Sequence, residues 1–63
     1  MTVQERINMA KDLAEVRRTG KVNMFARQHV KECLVELGCY STAYYIQENK
    51  EDYISLLDLS GDF

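Results

Sequence analysis

Apolar residues recur along the chain at steps of three and four, in separate blocks divided by glycine and asparagine. The first block, between Thr2 and Arg18, is Val3, Ile7, Ala10, Leu13 and Ala14, which fall on one stripe of an α-helix. Thr2-Val3-Gln4-Glu5 fits a capping box, in which the Thr2 hydroxyl accepts from the third helical amide while Glu5 reaches back to the cap amide. Arg17 and Arg18 sit in the last turn, where cations oppose the negative end of the helix dipole, and Gly20 supplies the left-handed residue that closes a helix. A second block, Phe25 or Ala26, Val30, Cys33, Leu34 and Leu37, predicts a helix that starts from an Asn23 cap and stops at Gly38, with Cys39 resting on Leu34 as a Schellman closure favours. A third, shorter segment over 40–48 would turn Tyr40, Ala43, Tyr44 and Ile46 inward. Asn49 followed by Lys50, Glu51 and Asp52 reads as another cap with acids in the first turn, ahead of Tyr53, Ile54, Leu56, Leu57 and Leu59. A strand at Ala43-Tyr44-Tyr45-Ile46 would have no second strand to pair with. The pattern predicts an all-α fold, a compact bundle of three to four short helices joined by tight corners, as one domain over 1–63.

Composition narrows the picture. A chain of 63 residues buries only about 60% of the surface its unfolded form exposes, so a partner or a second copy is the expected source of added stability. Its two cysteines, Cys33 and Cys39, make no dense disulfide or metal pattern. No apolar run approaches the roughly eighteen residues that cross a membrane, and MTVQERINMAKD carries acid where a signal peptide needs an apolar stretch. The expectation is a soluble, cytoplasmic protein with reduced thiols. The net charge of −2 hides a division: residues 1–31 hold seven Lys/Arg against three Asp/Glu, and residues 32–63 hold one against seven. Such asymmetry bears on partners and association.

The stretch RRTGKVNMF, residues 17–25, reads first as punctuation: a basic last turn, a glycine stop, a short link, an asparagine start. Its functional alternative is an anion or nucleic-acid contact, since Arg17, Arg18, Lys21 and Arg27 would surround open amides behind Asn23. The string R-x-T-G-x-x-N-M-F, followed by G-x-Y, then Y-I-x-E-N-K-x-x-Y and a final glycine, resembles a family of uncharacterised short helical proteins of Firmicutes and their phages and mobile elements. The matching residues are Arg17, Thr19, Gly20, Asn23, Met24, Phe25, Gly38, Tyr40, Tyr45, Ile46, Glu48, Asn49, Lys50, Tyr53 and Gly61. Ala26 and Cys39 depart from the pattern, which has an acid and an aromatic there. The resemblance implies a helical fold and a mobile-element setting, and no activity.

Chemistry is sparse. His29, Cys33 and Cys39 offer three soft ligands and no fourth, so no metal is expected, and a Cys–His nucleophile would lack a substrate cleft. No phosphate loop, HExxH or nucleophile elbow is present, and the protein is expected to be no enzyme and to carry no cofactor. Gly38 and Ser41 would suit a helix-turn-helix, yet the would-be recognition segment 40–49 contains no Lys or Arg. Tyr44 and Tyr45 point about 100° apart on a helix, so one of them meets solvent or a partner. The function expected is recognition of a protein, through an acidic face of Glu32, Glu36, Tyr45, Glu48, Glu51, Asp52 and Asp58. In the setting the resemblance implies, the target would be host nucleic-acid-binding or defence machinery that the face inhibits. The rivals are a small DNA-binding regulator using Arg17, Arg18, Lys21, Asn23 and Arg27, and a homodimer in which opposite charges pair.

Overall fold

In the computed structural model, which describes residues 2–63, four helices follow one another: α1 (Val3–Thr19), α2 (Arg27–Glu36), α3 (Tyr40–Glu48) and α4 (Lys50–Ser60). Among the described residues there is no strand, and the all-α bundle expected from the pattern is the observed fold.

The punctuation of α1 is as its residues dictate. Thr2 Oγ1 accepts from the Glu5 amide at 3.1 Å and Glu5 Oε1 accepts from the Thr2 amide at 3.2 Å, while Gly20 takes the left-handed conformation at φ 67. Gly38, at φ 83, closes α2 by the full Schellman pattern: the Cys39 amide donates to Leu34 O at 2.8 Å and the Gly38 amide to Val35 O at 3.0 Å.

The start of α2 differs from expectation. Asn23 does not cap it; the helix begins at Arg27, behind Ala26, whose side chain offers no acceptor. The reason lies in the corner itself. Asn23 Oδ1 accepts from the Phe25 amide at 2.9 Å and Asn23 O from the Ala26 amide at 2.9 Å, a local turn that uses the asparagine three residues too early for helix capping. The Tyr53 hydroxyl then donates to Met24 O at 2.6 Å, hanging the corner from α4. Asn49 likewise makes no side-chain cap for α4, because its Nδ2 donates back to Tyr45 O at 3.1 Å; Glu51 and Asp52 occupy the first turn as expected.

Leu13, Val16, Val30, Leu34, Ile46 and Leu56 are fully buried and, with Cys33, Ala43 and Tyr53, form the core where all four helices meet. The inward face of α3 is Thr42, Ala43 and Ile46; Tyr40 and Tyr44, expected inward, point out, and Ile54 of α4 does too. Thr42 is accommodated because its hydroxyl donates to Asp12 Oδ2 at 2.6 Å. Helices α2 and α3 make an antiparallel hairpin. Helices α1 and α4 run parallel, with Arg6 meeting Asp52 at one end and Arg17 meeting Ser60 at the other.

Candidate functional site

Most of the arginines expected at an anion site are committed to the chain itself. Arg27 Nη1 donates to Ile46 O at 2.8 Å and Gln47 O at 3.1 Å, placing a cation at the carbonyl end of α3, where the dipole favours it. Arg17 donates to the Ser60 hydroxyl, and Arg18 to Phe63 O at 2.6 Å and to Glu15 at 2.5 Å. Lys31 Nζ donates to Gln47 Oε1 at 2.7 Å. Lys21 lies in a shallow groove with His29, Glu32, Cys33 and Glu36, facing acids rather than joining the arginines. The basic half of the sequence therefore closes in part on the acidic half within one chain, and Arg17, Arg18, Lys21, Asn23 and Arg27 do not converge around open amides.

The acidic residues are also divided. Asp52 Oδ2 accepts from Arg6 Nη1 at 2.6 Å and from the Tyr45 hydroxyl at 2.5 Å, a knot that ties α1, α3 and α4. The hydrogen bonds from Arg6 and Tyr45 hold the Asp52 carboxyl below its ordinary value of 3.8, and the same contact with Asp52 raises the Tyr45 phenol. Since the folded value of Asp52 is the lower one, its contribution to stability is complete above about pH 4 and is lost as pH falls through the depressed value. Asp52→Asn should therefore flatten the acid limb of the stability profile, read as urea midpoints at pH 7 and pH 3; an acid limb as steep as that of the intact protein would count against the knot. Glu32, Glu36, Glu48, Glu51 and Asp58 remain exposed, whereas Tyr45 and Asp52 are half-buried and bonded to each other.

What α3 presents instead is a ridge that the inward assignment of Tyr40 and Tyr44 had hidden. Tyr40 is 66% exposed and Tyr44 65%, and with the exposed Glu48 they follow at four-residue steps along one side of the helix. The signal available in the sequence was the run Thr42, Ala43, Ile46, which marks the opposite side of the same helix. A second exposed apolar feature lies elsewhere, a groove of about 450 Å³ between the corner and α4, lined by Arg17, Met24, Phe25, Ile54, Leu57 and Asp58.

Both thiols are free, Cys33 buried and Cys39 half-buried. Burial, reinforced by the Asp12 carboxylate, pushes the Cys39 thiol up, which lowers its thiolate fraction and its reactivity. Among the described residues no three His, Cys, Asp or Glu side chains are grouped to hold a metal, and no helix is long and apolar enough to cross a membrane.

Residues 3–61 match the family described as a domain of unknown function (DUF5049), and the chain belongs to that family. Comparison with curated proteins and with solved structures found no match.

Proposed function

We propose that this chain, as a member of that family, acts by recognising a protein partner through the outer side of α3. The observation that supports the reading is the ridge itself: two tyrosines one turn apart, each about two-thirds exposed, with an acid next in line. Tyrosine combines apolar area with a polar tip at low entropic cost and is enriched in the energetic centres of protein interfaces. Glu48 on the ridge and Glu51 just beyond it favour a positively charged target, and arginine side chains satisfy both components, stacking on the rings and pairing with the acids. Phosphate backbones are disfavoured by the same acids, while Arg27 and Arg18, two of the cations that would neutralise them, serve intramolecular contacts. The mobile-element setting implied by the sequence resemblance makes basic host proteins, such as those that hold nucleic acid or act in defence, the class of partner such a ridge would occupy and inhibit.

A photo-crosslinking residue placed at Tyr44, with a control at the exposed Gln28 of α2, tests this in native host cells. Position 44 is expected to trap a discrete protein, and Tyr40→Ala with Glu48→Lys is expected to weaken its capture by tenfold or more, as loss of an interface anchor does. Equal trapping from both positions, or none from position 44, sinks the reading. A gel shift at low salt that fades as salt rises would replace it with the nucleic-acid regulator.

A further inference from the structure

The groove between the corner and α4 is independent of the α3 ridge and carries its own assignment. Phe25 on its rim is 82% exposed and Ile54 60%, with Met24 and Leu57 beneath them packed against the core. The rim is not a loose strand of chain. The Phe25 amide is held by Asn23 Oδ1 at 2.9 Å, and the preceding carbonyl, Met24 O, is held by the buried Tyr53 at 2.6 Å. The fold thus fixes the backbone that carries an exposed aromatic ring beside an open apolar trough, an arrangement that marks a contact surface.

The charges on the groove point to its occupant. Arg17 stands on α1 and Asp58 on α4, both lining the same trough. Arg17 donates to a neutral group, the Ser60 hydroxyl, and among the described residues Asp58 has no cation within ion-pair distance and its carboxylate accepts no hydrogen bond. A surface bearing one uncompensated cation, one uncompensated anion and a projecting ring beside a recess is complementary to itself about a two-fold axis. We propose that the occupant is a second copy of this chain. In the two-fold pair each Phe25 enters the other copy's trough beside Ile54 and Leu57, and each Arg17 faces the other copy's Asp58. A standard interface removes about 800 Å² from each partner, close to a fifth of this chain's 4108 Å² surface, so a contact centred on one groove makes a small, reversible dimer.

Sedimentation of the intact chain across the micromolar to millimolar range tests the assignment. Association that rises with concentration is expected. Phe25→Ser and, separately, Asp58→Arg should each weaken it at least tenfold, about 1.4 kcal/mol at 25 °C. Both residues are exposed, so helical circular dichroism should be unchanged. Combining Asp58→Arg with Arg17→Glu should restore association, because the crossed pairs reform with reversed sign. A chain that stays monomeric to the millimolar range overturns the proposal, as does a dimer indifferent to Phe25→Ser or a charge exchange that fails to restore it. Crosslinking from position 44 should be unaffected by Phe25→Ser, which separates this result from the fate of the α3 ridge.

Discussion

Leu34→Ala is expected to remove most of the cooperative unfolding transition. Leu34 is fully buried at the centre of the core, against a cluster that includes Leu13, Val30, Ile46 and Leu56, and its carbonyl anchors the Schellman closure of α2. Truncating a buried leucine costs about 2 to 5 kcal/mol from lost transfer energy and the cavity left behind. A core in a chain of this size rarely supplies more than about 3 to 5 kcal/mol in total. The two figures overlap, so the variant should populate the unfolded state heavily at room temperature. Urea titration followed by circular dichroism reads the effect. Leu37→Ala is the control: Leu37 is about half exposed at the end of the same helix, and surface replacements of that kind change stability by about 0.5 kcal/mol or less. Equal losses from the two variants would mean that the core is centred elsewhere.

The second large effect is a backbone one. Gly38→Ala should cost about 1 to 2 kcal/mol, the strain of holding a Cβ-bearing residue in the left-handed region. Gly38 sits at φ 83, and a Cβ added there meets no atom within 4 Å, so steric collision with neighbours contributes nothing and the penalty is conformational alone. For a domain of this size each kcal/mol moves the melting temperature by about 4 to 8 °C, well within the resolution of a thermal scan. Gly61 separates this cause from a general intolerance of alanine. It lies at φ −63, and a Cβ there would only approach Asp58 O at 3.2 Å. Gly61→Ala should therefore cost less than Gly38→Ala. A melting temperature for Gly38→Ala unchanged from the intact protein would remove the left-handed requirement from the α2–α3 turn.

These two residues also mark what could be read from the residues alone. The glycine stops were legible because a positive φ has few other solutions, and the capping box at Thr2 and Glu5 because both halves of the motif are local. The stripe of α1 was legible in part: Ala10, Leu13 and Ala14 recur at helical spacing and are buried, whereas Val3 at the helix start is exposed and the core also takes Val16, which the stripe left out. Asn23 and Asn49 were misleading because an asparagine amide competes among several local partners, and tertiary bonds settled the outcome. Tyr53, thirty residues downstream of Asn23, holds the corner in a shape that helix propensity cannot anticipate. The facing of α3 agrees with expectation at Ala43 and Ile46 and departs from it at Tyr40 and Tyr44. Tyr40 and Tyr44 have the bulk of core residues and the right spacing, yet the smaller Thr42 and Ala43, with Ile46, are what fits between α2 and the helices behind it. The α3 ridge and the groove at the corner both expose aromatic or apolar residues that the bundle left over, Tyr40 and Tyr44 on one and Phe25 and Ile54 on the other, and periodicity alone does not say which side of an apolar helix is surplus.

The parallel alignment of α1 and α4 has a consequence for the order of events during folding. Their end contacts join residues 46 positions apart at Arg6 and Asp52 and 43 apart at Arg17 and Ser60, whereas α2 and α3 meet across a three-residue turn. Closing a long loop costs more chain entropy than closing a short one, and that cost is met before the distant contacts return anything. The hairpin is therefore the natural nucleus, and the outer pair docks last. Leu13, Val16 and Leu56 are fully buried only when this pair is docked, so closure of the long loop between the chain's two ends is the step expected to set the folding rate.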